Sequence, residues 1–371
     1  MSTNILDAQP AYPDEPASPP PPPKPKGFPL HPNFWWGLLW SVGSLLLTQV
    51  PAAAVIIVIL LGVTLLFPRL VPPEAMQDAA GMMQNPVILI AMGLGLVIAH
   101  LLLFALSLVC LRILAGRDWH RQVALRPPSA GHVLLTFAIV PAFMVLASAS
   151  TYFFGELLGF PSLLKMVMGD LEGMTGPAMV IAAAIIGVLP AFSEEFWCRA
   201  FLGRGIVGKH GYVLGVLGTS FLFGAIHLDP VQGCMAMVLG VVMHYAYLTS
   251  RSLLVPMLLH FLNNTLAVAL GGVETWQKVV PNKDLPAWPV LAAAGLLLLA
   301  VAYAFYQSRA RLVTPEAAEP WRPPYPGVVC PPPGSATAVL SPGLSALSTI
   351  LVLAGLAAFA AAAFAALRWL V

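Results

Sequence analysis

Long apolar stretches are the feature that most limits what this chain can become. An α-helix needs about 20 apolar residues to cross a bilayer, and stretches of that order lie near residues 35–67, 86–114, 132–155, 177–207, 211–228, 230–249, 252–272, 287–307 and 342–370. They fill most of the 371 residues and leave no room for a separate soluble core. With 58% hydrophobic and only 9% charged residues, the composition is far from the roughly one-quarter charged makeup of soluble domains. The expected fold is all-α, a polytopic transmembrane helical bundle of about eight to nine spans. The first span is long enough to tilt or kink, and Gln49 with Pro51 marks the place for a break.

Lys and Arg collect on the cytoplasmic side of membrane proteins, and the loop charges alternate as a serpentine chain requires. Lys24 and Lys26 precede the first span, and the next loop sets Arg69 against Glu74 and Asp78. Arg112, Arg117, Arg121 and Arg126 follow, then Glu156, Lys165, Asp170 and Glu172, then Arg204 and Lys209. Arg251 and the Arg309/Arg311 pair fall on the basic side. An integral membrane protein, in the cell membrane and with a cytoplasmic N-terminus, is therefore expected. The net charge is only +2, and the basic residues sit between spans, so membrane lipid rather than nucleic acid is the expected partner. Cys110, Cys198, Cys234 and Cys330 form no CxxC pair, which suggests neither a disulfide framework nor a zinc ribbon.

Ionisable groups inside a membrane span are costly and usually mark function. Three clusters stand out. The first is Ser193-Glu194-Glu195-Phe196-Trp197-Cys198-Arg199, in the fourth apolar stretch. Adjacent carboxylates lie about 100° apart on a helix, and Arg199 sits where an i,i+4 ion pair with Glu195 can form. This suggests Glu195 as a structural partner of Arg199 and Glu194 as the freer base. The second cluster is Phe223-Gly-Ala-Ile-His227, and the third is His260-Phe-Leu-Asn-Asn264, whose His and final Asn share one helical face. His100 and His244 read instead as packed, hydrogen-bonded histidines.

Depth is a crude check. At 1.5 Å per residue, Glu194 lies roughly 22 Å back from the loop around Lys209 and His227 roughly 27 Å forward, so they can meet. His260 lies only roughly 14 Å beyond Arg251, so its span must start deeper or tilt. Once together, these groups can hold and activate water. Glu194 is the candidate general base toward water attacking a peptide carbonyl. His227 and His260 can either bind a metal or donate hydrogen bonds directly, and Asn264 can supply an oxyanion donor. Glu194, His227 and His260 would make a three-ligand metal site with an open position, and the residues alone leave zinc and metal-free chemistry both open.

The pattern EExxxR, FxxxH and HxxxN, in that order in successive hydrophobic helices, resembles the CAAX protease and bacteriocin-processing family of intramembrane endopeptidases, the family of the type II CAAX prenyl endopeptidase. The resemblance covers roughly residues 130–272. It implies that Glu194 is the water-activating glutamate, that His227, His260 and Asn264 line the same cavity, and that Glu195, Arg199 and Phe223 support them. It also implies a membrane-bound or lipid-modified peptide substrate, and either a metalloendopeptidase or a metal-independent glutamate mechanism. Residues 1–33, with Pro19 to Pro23 and Pro25, then read as a disordered proline-rich tail. Residues 34–130 read as accessory transmembrane helices, 131–272 as the catalytic membrane core, and 273–371 as C-terminal transmembrane helices with a proline-rich loop at 308–341.

Other intramembrane proteases are set aside by their own chemistry. There is no HExxH, no glycine after Ser220 in Gly218-Thr219-Ser220-Phe221, and no pair of intramembrane aspartates. A non-catalytic scaffold or immunity protein, and a proton-coupled transporter using Glu194, are the alternative readings of the same residues.

Overall fold

A computed structural model describes residues 33–76, 82, 85–160, 176–271, 279, 288–314, 319–320, 327–330 and 337–368. The proline-rich leader before residue 33 and the loop charges Asp78, Lys165, Asp170 and Glu172 lie outside the described residues. The long helices are α1 (Phe34–Leu66), α2 (Pro86–Leu114), α3 (Ala130–Leu158), α4 (Gly176–Glu195), α5 (Arg204–Ala225), α6 (Pro230–Ser250), α7 (Leu254–Gly271), α8 (Trp288–Gln307) and α9 (Ala346–Arg368). A π-helical segment, Phe196–Gly203, joins α4 to α5. A two-stranded antiparallel ribbon, β1 (Arg311–Val313) with β2 (Ala338–Leu340), follows α8.

The fold is an all-α membrane bundle. Seven described helices are long and apolar enough to cross a membrane, counting Met179–Ala225 as one stretch of 47 residues. That stretch breaks at Gly211, whose φ of 81° and ψ of 179° interrupt the helix in a conformation that a side chain would strain. Divided there, and joined by the shorter Leu254–Leu270, the helices recover the nine rods read from the sequence.

Local sequence explains several helix starts. Asn85 and Asp229 cap α2 and α6 by accepting backbone N–H bonds at 2.9 Å, and each precedes a proline whose missing N–H costs nothing at a first helical position. Ser129 and Asn33 cap α3 and α1 in the same manner.

Because the surrounding solvent is lipid, the large aliphatic side chains of α1 point outward and its buried face is small and polar. Leu46, Leu47, Val58 and Leu65 are exposed, whereas Gly37, Ser41, Ser44, Thr48 and Ala52 face the protein. Small residues let helices approach closely. A backbone-to-backbone close approach is α5 on α6, where a Cβ on Gly224 would stand 2.3 Å from the Gly233 carbonyl oxygen. Gly224→Ala must therefore push the helices apart beside His227. A loss of about 1–3 kcal/mol is expected, as for overpacked cores, read as a lower unfolding midpoint in detergent. Gly295→Ala on α8, where a new Cβ meets nothing within 4 Å, serves as the neutral control.

The basic loops converge at one end of the bundle. Arg126 donates to the carbonyls of Arg251 (2.8 Å) and Ser250 (3.0 Å), and Arg204 bonds Gln122. Arg251 donates to Ala310 (2.8 Å) and Val328 in the segment after α8. This arrangement resolves the depth problem at His260. The α6–α7 turn is roofed by neighbouring segments, with Ser252 and Leu253 fully buried, so α7 starts inside the protein and needs fewer residues to reach the site.

Candidate active site

The centre of the bundle is the last turn of α4 and the π-helical segment after it, in which every residue from Phe196 to Gly203 is buried. Such segments are rare and recur at functional sites. Here it lets Arg199, 1% exposed, stay inside the bundle beside Glu195, 0% exposed, at 2.8 Å. A pair so deeply withdrawn from solvent needs further partners for its remaining polar atoms. Arg199 also donates to the Gly240 carbonyl at 3.3 Å and lies over the Phe223 ring, 4.3 Å from its centroid. The edges of His227 and His260 meet the same ring at 5.1 and 6.0 Å. Phe223 is thus the packing surface that sets both imidazoles relative to Arg199.

Both histidine orientations are fixed through Nδ1. His227 Nδ1 lies 2.8 Å from the Phe223 carbonyl oxygen, which can only accept, so Nδ1 donates. His260 Nδ1 lies 2.9 Å from Glu195 Oε1, so Glu195 holds an imidazole as well as Arg199. Each Nε2 is then left facing Glu194. The distances to Glu194 Oε2 are 4.0 Å from His227 and 3.9 Å from His260, and this carboxylate oxygen is buried without a hydrogen-bond partner among the described residues. In their neutral forms both Nε2 atoms are acceptors. Direct donation to an oxyanion, one of the roles the sequence leaves open to them, therefore requires the imidazolium.

Two imidazole acceptors within 4.0 Å of one carboxylate oxygen call for a proton donor or a cation. Chemically, Glu194, His227 and His260 suit zinc, and the Nδ1 bonds are those that orient metal-binding histidines. The spacing does not fit. Ligands on tetrahedral zinc stand about 3.3 Å apart, given bonds of about 2.0–2.1 Å, and among the described residues no group of three His, Cys, Asp or Glu is placed to hold a metal ion. A water at about 2.8 Å from atoms 3.9–4.0 Å apart would subtend roughly 90° between them, close enough to the angle between its two O–H bonds.

Asn264 sits one turn beyond His260 and is used in helix pairing. Its Nδ2 donates to the Ile186 carbonyl of α4 at 3.2 Å, and its Oδ1 accepts from Asn263 at 3.1 Å. Close by, a Cβ on Gly187 would collide with Thr265 Oγ1 at 2.1 Å. The pairs Ile186–Asn264 and Glu195–His260 show that α4 and α7 run antiparallel, which carries His260 to the level of the carboxylates. One amide N–H of Asn264 remains beyond the Ile186 bond.

A cavity of about 180 Å³ opens beside Glu194 and His227, and its other walls include Ser44, Thr48 and Gln49 of α1, His100 of α2 and Gln232 of α6. The first two helices, read from sequence as accessory, thus wall the site. Their polar residues carry no motif, although the spacing of Ser41, Ser44 and Thr48 in α1 at three and four residues is a readable signal of a buried helix face.

Residues 176–266, which contain all three motifs, match the family model described as type II CAAX prenyl endopeptidase Rce1-like. The resemblance to that family is thereby shown for the segment that holds Glu194, Glu195, Arg199, Phe223, His227, His260 and Asn264, and at the family level it supports a CAAX-type intramembrane protease. No curated protein and no solved structure matches the chain.

Proposed function

We propose, from the premise that residues 176–266 are an Rce1-like segment, that the chain is an intramembrane endopeptidase cutting membrane-associated or lipid-modified proteins or peptides. The single observation that carries this reading is the buried Oε2 of Glu194, without a hydrogen-bond partner among the described residues, within 4.0 Å of two imidazole Nε2 atoms and beside a cavity that Glu194 and His227 line. Water bound there gives one proton to Glu194 and aims its other O–H at His227 or His260, leaving an oxygen lone pair for the scissile carbonyl. Glu194 takes the proton as general base and can return it to the leaving amine. Glu195 holds His260, and Arg199 balances Glu195. Asn264 has one N–H available for the developing oxyanion. The basic end of the bundle is assigned to the cytoplasm, which places the N-terminus there also.

Comparative proteomics of membranes containing the native protein or Glu194→Gln tests this. New termini that depend on Glu194 are expected, and identical termini in both would sink the proteolytic reading. A synthetic peptide spanning such a cut, assayed in proteoliposomes, then addresses the metal. With no step routed through a metal, cleavage is expected to persist after chelation and removal verified by elemental analysis. Loss of cleavage that zinc restores would replace this mechanism with a metallopeptidase one.

A further inference from the structure

His100 lies on α2, outside the matched segment and outside every motif that identified the site. Its Nδ1 is 2.7 Å from Ser193 Oγ, on the residue immediately before Glu194. Ser193 Oγ donates its own proton to the Leu189 carbonyl at 2.9 Å, so it accepts from His100 and Nδ1 carries the proton. Among the described residues this is the side-chain hydrogen bond that ties α2 to the catalytic turn of α4.

The bond also occupies a boundary. On one side is the cavity that His100 shares with Glu194, His227 and Gln232. On the other is a cavity of about 210 Å³ whose wall is otherwise apolar, formed by Leu101 and Phe104 of α2 with Val188, Leu189 and Phe192 of α4, and closed by His100 and Ser193. The His100–Ser193 pair is therefore the seam between an apolar space and the polar one. Without it, the α2 side of the Glu194 turn would be held by apolar contacts alone, leaving the bonds to α7 on its other side to set the rotation of α4, and a small rotation would move Glu194 relative to His227 and His260.

We infer that His100 is a positioning residue for the proposed reaction: through Ser193 it fixes the rotation of the Glu194 turn and keeps the carboxylate on the polar side of the seam. The inference rests on the proteolytic reading above. A 1 Å misplacement of a reacting group can cost about a hundredfold in rate, so a positioning defect falls on kcat while substrate binding is spared.

The test uses the full-length protein in proteoliposomes and the synthetic peptide spanning a Glu194-dependent cut. His100→Ala is expected to lower kcat about 10- to 100-fold and to change KM less than about threefold. Ser193→Ala, which removes one hydroxyl, is expected to lower kcat in the same way. Because both break one bond, the double variant is expected to be no worse than His100→Ala within about threefold. His100→Asn, whose amide N–H can stand in for Nδ1–H, is expected to recover most of the loss, and His100→Phe none. If His100→Ala fails to fold as judged by size exclusion, the Ser193→Ala and His100→Asn comparison carries the test. Unchanged kcat in Ser193→Ala, or single effects that multiply in the double variant, would overturn the inference. Glu194→Gln in the same assay separates the two readings. If it is inactive while His100→Ala is not impaired, only the role of His100 falls; if it cleaves like the native protein, the proteolytic reading falls and takes this one with it.

Discussion

Glu194→Gln is expected to reduce cleavage about 100- to 10,000-fold, the range that a positioned general base contributes, while the protein folds and purifies as before. The substitution keeps the shape of the side chain and removes its proton affinity. It also has little to break, since among the described residues Glu194 Oε2 makes no hydrogen bond, and it stands 3.9 Å from His260 without bonding into the Glu195–Arg199–His260 network. The informative measurement is therefore a pair: the turnover of the proteoliposome assay and the unfolding midpoint of the same preparation. Full activity would remove Glu194 from the mechanism. Lost activity with lost folding would assign it a structural role instead.

The neighbouring carboxylate should behave in the opposite way. Arg199→Met leaves Glu195 as a buried charge with only His260 to answer it, and removing one partner of such a pair costs about 3–5 kcal/mol. A large fall in stability is expected, read from titration with a denaturing detergent. Pairing it with Glu195→Leu in a double variant deletes the stranded charge together with its acceptor oxygens, so much of the stability should return. Activity should not return, because the carboxylate that aligns His260 through Nδ1 at 2.9 Å is gone. Unaltered stability in Arg199→Met would show that the pair is not the keystone of the bundle. Recovery of cleavage in the double variant would show that Glu195 does not orient His260.

The contrast between these adjacent glutamates is legible in the sequence itself. Residues one apart face different neighbours on a helix, and Arg199 stands one turn from Glu195. The same locality makes Phe223 and His227 readable as a unit. Relations across the chain are not readable in this way. His260 and Glu195 are separated by 65 residues, Asn264 and Ile186 by 78, and His100 and Ser193 by 93. No period in the sequence encodes which faces of distant helices meet. His100 reads as an ordinary packed histidine because the residue that gives it a role lies on another helix. The shortfall in reach at His260 has the same origin, since counting residues from Arg251 places the turn at the surface, whereas that turn is buried beneath the segment after α8.

What the sequence determined by itself is the solvent and which polar residues are available for chemistry. A chain so rich in apolar stretches must place them in lipid, and the few ionisable groups within them are costly enough to mark the site. Tertiary structure alone decided the site's shape: which imidazole each carboxylate serves, that α1 and α2 complete the cavity, and where the seam between polar and apolar space runs. The physical reason is that burial preference and one-turn contacts are properties of short segments. The geometry of a site instead depends on close helix crossings, such as Gly224 on Gly233 and Gly187 on Thr265, which exist only once the whole bundle is packed.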